Sequence, residues 1–285
     1  MPTISHIRHS VLLLLCVTGI SGAQTPADPI HWSFGVAAGQ LKFPDGSSES
    51  ALGGTIAARA WDWLDLSVNP TYAWVRSAPV PGGSPAQQQG RSANGVTDLP
   101  LTIGVSHDIP GPWSPSVGLS LGITLPTGDT ATVGSGSTGV GVNLNVGFAP
   151  TDNFSFDIAA GRSISDNGYS AGFASSSPTS LALSTLVKAG TISVGLSLSG
   201  DVGAASSGFE SAQSLAAGVA IPVGRGMSLN FDGSAGLTPG APTWAFAVGI
   251  GTTASGIVAA TVAPYQRLRR AFGQGTKIKS KPRTK

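Results

Sequence analysis

The sequence predicts an all-β fold, a closed antiparallel up-and-down transmembrane β-barrel of about 12 strands. Three observations predict this class. Apolar and small polar residues alternate along most of the chain, which is the period of a strand with two different faces. Short and long connections between these segments also alternate. Only 11% of the 285 residues are charged, against roughly 25% in an ordinary globular chain.

The N-terminal residues predict export. A short start with one Arg precedes the apolar run VLLLLCVTGI, and SGA before QTPADP offers a cleavage site of small residues. We therefore expect a signal peptide at 1–23, an outer-membrane barrel at 24–255 and a basic C-terminal tail at 256–285, on the periplasmic side. The one cysteine, Cys16, lies inside the signal segment, so the barrel has no thiol chemistry or disulfide.

Segments of alternating residues follow one another along the mature chain. Most are about ten residues long, which suits a tilted strand that crosses the hydrocarbon layer. An even number of such strands returns both ends of the barrel to one rim. The expected strands are 30–43, 51–60, 64–77, 99–108, 114–125, 138–149, 154–164, 179–188, 191–201, 212–221, 227–237 and 243–254.

Parity assigns a face to each residue. In the segment 140–148, Val, Leu and Phe occupy every second position, and Gly and Asn occupy the positions between. The aliphatic side would face lipid in a membrane barrel and a second sheet in a soluble sandwich. Carboxylates keep the parity of the small polar residues, as a barrel requires, because a carboxylate in the hydrocarbon layer is strongly unfavourable. The predicted lumen-lining residues are Asp65, Asn69, Asn143, Asn145, Asp157, Asn230 and Asp232.

The connections are sorted by length. Short turns are expected at 61–63, 110–113, 150–153, 189–190 and 223–226, and longer loops of small residues separate the other strand pairs. The longest loop is expected at 78–98. Outer-membrane barrels have short periplasmic turns and longer extracellular loops, whereas a soluble sandwich has no reason to sort them. Aromatic residues flank both sets of connections, as they do at the two membrane interfaces of a barrel.

The C-terminal tail has a charge of its own. No acidic residue follows Asp232, and half of the 16 basic residues lie beyond position 266. Like charges grouped at a terminus are typical of a disordered interaction arm. A solvated tail and an anchor to anionic lipid or cell wall are the two interpretations.

Motifs that resemble catalytic signatures lack the structural context that catalysis needs. Residues 118–122 fit G-x-S-x-G, but this serine lies within a strand and not in a strand-to-helix turn. Ser106, His107 and Asp108 are neighbours on one strand, so their side chains alternate between faces. The sequence predicts no enzyme, catalytic residue, cofactor or metal site. Nucleic-acid binding is not expected either, because the basic tail has no interleaved aromatic residues.

The motif LPTGD, formed by Leu125, Pro126, Thr127, Gly128 and Asp129, carries a family resemblance. Together with PSVGLSLGIT before it and GVGVNLNVGFAPTDNFSF after it, the motif resembles the outer-membrane family named for the meta-pathway of phenol degradation. The likeness covers about residues 99–164. It implies an outer-membrane barrel that transports hydrophobic or aromatic compounds. Locally, Pro126 ends a strand because it has no N–H, Gly128 permits a positive φ, and Asp129 can bond back to the turn. The motif therefore has two interpretations, a structural turn and a direct contact to a ligand.

The expected function is passive passage of small molecules across the outer membrane of a Gram-negative bacterium, through a polar lumen. The expected partners are outer-membrane lipid, a small-molecule solute and the barrel assembly machinery. Two alternatives are a structural or adhesive barrel with a plugged lumen and a soluble secreted β-sandwich.

Overall fold

The structure is a computed structural model that describes residues 30–60, 63–78, 92–129, 133–134, 136, 138–166, 179–202 and 212–252. Within these ranges, no helix is long and apolar enough to cross a membrane. The strands are β1 Ile30–Lys42, β2 Ser48–Ala60, β3 Leu64–Val68, β4 Thr71–Arg76, β5 Ser92–Val96, β6 Leu99–Asp108, β7 Ser116–Leu125, β8 Gly139–Thr151, β9 Phe154–Asp166, β10 Thr179–Ala189, β11 Ile192–Val202, β12 Gln213–Gly224, β13 Met227–Gly236 and β14 Trp244–Thr252.

All fourteen strands belong to one antiparallel sheet that closes on itself. Consecutive strands pair with each other, except β3 with β4 and β5 with β6. Strand β1 pairs both with β2 and with β14, the latter from Gly35 opposite Gly251 to Lys42 opposite Trp244. Closure lets backbone N–H and C=O groups bond to neighbouring strands, which a sheet in lipid requires. The predicted barrel is confirmed, and the two-layer sandwich is excluded.

The fourteen strands form a barrel that is twelve strands around, because in two places a pair of strands lies end to end and together fills the place of one. One of them holds β3 and β4. Strand β2 pairs with both in one unbroken register, from Ile56 opposite Val68 to Gly53 opposite Thr71. The interruption falls at Pro70, which has no N–H to donate to the ladder. The expected strand 64–77 is therefore correct apart from this gap.

The other such pair, β5 with β6, corrects the expectation of a loop at 78–98. Residues 92–96 form a strand, with Val96 opposite Tyr72, whereas Leu101 lies opposite Val68. From Val96 to Leu101 the chain advances by five residues, while the facing chain from Tyr72 to Val68 advances by four. The extra residue forms a β-bulge. Both bulge residues, Thr97 and Asp98, are buried. Parity reverses across a bulge, so simple alternation could not predict a strand on its far side.

The faces match the prediction. Large aliphatic and aromatic side chains cover the outer face and are exposed, for example Leu196 at 54% and Phe246 at 50%. Their strand neighbours Ser197 and Ala247 point inward and are buried. An aliphatic outer face on a closed barrel is stable only against hydrocarbon.

Aromatic side chains mark the two rims of the barrel. Trp63 and Trp113, next to short turns, are exposed at 49% and 60%. Trp74 and Trp244 are exposed near the long-loop rim, where the Tyr72 and Trp74 ring centroids lie 4.8 Å apart. Trp61 lies outside the described residues. The described rings have the arrangement of interfacial belts.

The lumenal face as candidate functional site

All of the predicted lumen-lining residues have the inward parity of their strands. They are distributed around the wall and do not form one cluster: Asp65 lies on β3, Asn69 in the β3–β4 gap, Asn143 and Asn145 on β8, Asp157 on β9, and Asn230 and Asp232 on β13. Asp65 and Asp157 lie nearer the short-turn rim than the asparagines of β8. That these residues line the path of a solute stays a prediction.

Inward polar side chains lie flat over glycines of the neighbouring strand. A Cβ added to Gly118 would collide with the Asn145 amide, and one added to Gly218 would collide with the Asp232 carboxylate. Gly147 is placed in the same way beneath the Asp157 carboxylate and the Ser116 hydroxyl. The alternation of glycine with Asn and Asp therefore makes space beside each polar group, so that the group rests along the wall.

An ion pair lies on the inward face near the short-turn rim. The Arg59 Nε and Nη2 atoms donate to the two Asp65 carboxylate oxygens at 2.8 and 3.0 Å. The hairpin register places these residues directly opposite each other on β2 and β3. Such bidentate geometry holds both charges along the wall. Of the predicted lumenal carboxylates, Asp65 is thus neutralised by a partner, which sequence reasoning missed although the short turn at 61–63 implied the pairing.

Serines form a band on the inward face of β10–β13. The hydroxyl oxygens of Ser199 and Ser214 lie 3.0 Å apart and are hydrogen bonded. Ser184 lies opposite Asp157 on one side and Ser197 on the other, so hydroxyls continue from the carboxylate around the wall. The buried serines of this band are Ser184, Ser197, Ser199, Ser214 and Ser228.

A second part of the inward face is apolar, which the sequence analysis did not predict. It lies toward the long-loop rim on β1, β2, β4 and β14, and Phe43 packs against it. Its members are almost fully buried: Leu41, Ala51, Ala73, Ala245 and Ala247. We call this group the apolar patch. Alternation along β1 could have predicted one of its members, because Leu41 lies two residues after Gly39 and so faces the same way.

Glu49 borders the apolar patch, with Leu41 and Val75 opposite it on the two adjacent strands. Only 7% of the Glu49 surface is exposed. Alternation did not predict this carboxylate, because residue 49 lies before the expected start of the second strand at residue 51. The apolar patch is therefore bordered by the buried acidic side chain of Glu49.

The LPTGD motif docks onto the bulge between β5 and β6. The Gly128 N–H donates to the Asp98 carboxylate at 3.0 Å, and the Thr127 hydroxyl donates to the Thr97 carbonyl oxygen at 3.3 Å. Gly134 packs against Gly128 from the other side. The loop thus covers the end of β5 next to its unpaired edge, which gives the motif a structural role.

The structure also corrects the reason for glycine at position 128. Its φ is not in the positive range, where six other glycines lie in the described part of the chain. A Cβ there would lie 2.8 Å from the Gly134 Cα, 2.9 Å from the Val96 carbonyl oxygen and 3.0 Å from the Asp98 nitrogen. Close backbone approach, and not backbone conformation, requires the glycine.

Comparisons with solved structures agree with this architecture. The chain resembles the COG4313 outer membrane channel from Pseudomonas putida F1, with a TM-score of 0.56 and 16% identity over 80% of this chain and 99% of that one. It also resembles the KdgM porin, with a TM-score of 0.52, 9% identity, and coverage of 78% and 99%. The third similar structure is the NanC porin, with a TM-score of 0.50 and 10% identity over 78% of this chain and 100% of that one. Neither a protein-family model nor a curated protein sequence matches the chain.

These likenesses establish the fold. The closed barrel, its aliphatic outer face and its small, polar inward face define the class as an outer-membrane β-barrel of a Gram-negative bacterium. The solved structures named above are channels and porins.

Proposed function

We propose that the chain is an outer-membrane channel for the passive passage of small molecules. The observation that carries the proposal is the inward face, where polar side chains rest over glycines and so lie along the wall instead of across the barrel. Barrels lined by aliphatic side chains throughout would offer water no partners along the path. The proposal includes no catalytic step.

Selectivity follows from the balance of inward charge. Of the predicted lumenal carboxylates, Asp157 and Asp232 lie against glycines on the inward face, whereas Asp65 is neutralised by Arg59. Fixed carboxylates raise the local cation concentration in a narrow pore. We therefore propose a preference for cations over anions.

Replacing Asp157 and Asp232 together by Asn tests this assignment. The cation preference measured as the reversal potential in planar bilayers under a salt gradient should fall, because two negative charges leave the pore at nearly constant side-chain volume. Asp152→Asn, in the exposed turn before β9, serves as the matched control and should leave the reversal potential unchanged. An unchanged potential in the double variant would refute the role of these carboxylates.

We propose hydrophobic or aromatic compounds as the solute class. The resemblance of LPTGD to the phenol-degradation family supports the same class, and we propose membership of that family on this motif. Liposome swelling with phenol and with a sugar of similar size measures the preference directly; equal rates would argue against it.

The second candidate is a structural or adhesive barrel with a plugged lumen. One observation favours it: Leu41 and Ala73 are exposed by only 2% and 1%, so this part of the inward face is covered. Liposome swelling separates the two candidates, because a plugged barrel admits neither solute.

The terminal segments lie outside the described residues, and their roles are proposals. We propose a signal peptide at 1–23, a barrel domain at 24–255 inserted by the barrel assembly machinery, and a basic periplasmic tail at 256–285. Truncation after residue 255 should leave assembly unchanged in membrane fractions. If membrane retention is also unchanged, the tail does not anchor the protein.

A further inference from the structure

Charged side chains are sorted between the two faces of the barrel. The described strand carboxylates have inward parity: Glu49, Asp65, Asp108, Asp157, Asp201 and Asp232. The charged side chains described on the outer face are all basic, namely Lys42, Arg76 and Arg162, and all are exposed. Lys42 and Arg76 are the last residues of β1 and β4, at the long-loop rim. The outer face therefore presents positive charge where the barrel leaves the hydrocarbon layer on its extracellular side.

Two of these cations form a pair across the sheet. Lys42 lies opposite Ser48 on β2, and Ser48 lies opposite Arg76 on β4, so the three residues form one outward row. Strands are separated by about 4.8 Å, which puts the two basic backbones about 10 Å apart. Long Lys and Arg side chains can converge over that distance on one anionic group. Among the described residues, neither has an acidic partner.

Aromatic residues fix the depth of this row in the membrane. Trp244 lies opposite Lys42 on β14, and Trp74 precedes Arg76 by two residues on the same face. Both indoles are exposed on the outer face. Tryptophan prefers the headgroup level, where one edge of the ring is in hydrocarbon and the other is wet. Lys42 and Arg76 therefore lie at or just beyond the headgroups.

We propose that Lys42, Ser48 and Arg76 form an outward-facing site for a phosphate group of lipopolysaccharide in the outer leaflet. Arg binds a phosphate through its planar guanidinium, Lys adds a point charge, and the Ser48 hydroxyl between them can donate a hydrogen bond. The lipid, and not a free anion, is the occupant because the site borders the aliphatic outer face that the acyl chains contact. The site is independent of the proposed channel function.

Binding of lipid A to the detergent-purified full chain tests the proposal. Native mass spectrometry titrations would compare diphosphoryl lipid A, its dephosphorylated form and sodium pyrophosphate. We expect the wild type to prefer the diphosphoryl lipid, and Lys42→Gln with Arg76→Gln to weaken that binding by about 25-fold, since each basic group near an anionic membrane surface contributes about a fivefold change. Added salt should weaken wild-type binding as well.

The charge-matched control is Arg162→Gln with Arg225→Gln. Arg162 lies on β9, remote from the pair in the sheet order, and Arg225 lies in a short turn at the other rim. An equal loss in this control, equal binding of dephosphorylated lipid, or full competition by pyrophosphate would each overturn the proposal. If the double variant does not give the heat-modifiable mobility of a folded barrel, Lys42→Arg, which retains charge and should retain binding, and the wild-type comparison of the two lipids decide the matter.

Discussion

At the scale of single residues, the inward face is organised by pairs of a polar side chain and a glycine. In three such pairs a β-carbon on the glycine would collide most closely with the polar side chain: Gly118 with Asn145, Gly147 with Asp157 and Gly218 with Asp232. In each pair the polar atom occupies the volume that a larger residue would fill. The glycine content of the strands is therefore a property of the lumen, although glycine weakens an isolated strand.

Gly218→Ala should turn the Asp232 side chain away from the wall and into the lumen. The collision is with the end of a flexible side chain, so we expect a loss of stability of about 1 kcal/mol at most and a lower single-channel conductance. Gly122→Ala is the matched control, because a Cβ there would contact only the Gly141 carbonyl oxygen, at 3.8 Å. Similar conductance of the two variants would contradict this account of the glycines.

Arg59→Gln should change ion selectivity in the direction opposite to the loss of Asp157 and Asp232. It leaves Asp65 negative and without its bidentate partner, so the cation preference in planar bilayers should rise. The side chains are 22% and 35% exposed, and the loss of stability should be about 1 kcal/mol or less. Arg59→Lys retains the charge and should leave the reversal potential near that of the wild type. A fall in cation preference for Arg59→Gln would be the contrary result.

At the scale of elements, the β5–β6 bulge and the LPTGD loop form one unit. The bulge turns both Thr97 and Asp98 into the interior, where Asp98 accepts the hydrogen bond of the Gly128 N–H. The loop in turn covers the part of β5 that has no neighbouring strand beyond β4. Covering an unpaired edge prevents association through its free backbone groups.

Gly128→Ala should destabilise this unit by about 1–3 kcal/mol, because the added methyl group would meet three backbone atoms that cannot rotate away. The measurement is the temperature at which the heat-modifiable gel mobility changes, which should decrease. Gly122→Ala again controls for the loss of glycine in an inward position.

Asp98→Ala should produce a similar decrease in that temperature, by removing the acceptor from a partly buried N–H. Asp98→Asn retains an acceptor oxygen and should lie closer to the wild type. Equal effects of the two substitutions would show that the hydrogen bond is not what holds the loop.

At the scale of the whole molecule, the decisive feature is the pairing of the first strand with the last. Eight residue pairs join β1 to β14. The inward residues of this seam include Leu41, Ala245 and Ala247, so the closing strands also build the apolar patch. Closure and the character of the long-loop half of the lumen are therefore linked.

Cysteines introduced at Leu41 and Ala245 should form a disulfide across the seam after export. The two residues are directly opposite, and facing Cα atoms in antiparallel strands lie about 4.5–5.5 Å apart, within disulfide range. The disulfide would close most of the chain into one loop, and the crosslinked chain should migrate faster on a denaturing gel without reductant. Leu41→Cys with Ser234→Cys is the control, because the two positions are two strands apart, at about 10 Å. Crosslinking in both pairs, or in neither, would count against the observed register.

The sequence by itself determined the period, the faces and the sorting of connections. Alternation fixes which residues share a face, and lipid outside a barrel makes that pattern strict, because a misplaced carboxylate is expensive. The inward parity of residues such as Asp157 and Asp232 could therefore be predicted without coordinates. So could the positions of the strands other than β5, with bounds that differ by a few residues.

Only the tertiary structure decided which residues of neighbouring strands lie opposite each other. The register between strands pairs Asp232 with Gly218, turns residues 97 and 98 inward together, and joins β14 to β1. It also brings Leu41 beside alanines from three other strands, and it places Lys42 and Arg76 in one row. Alternation along one strand carries no information about its partner's register. Those pairings are set by backbone hydrogen bonding around the whole closed sheet.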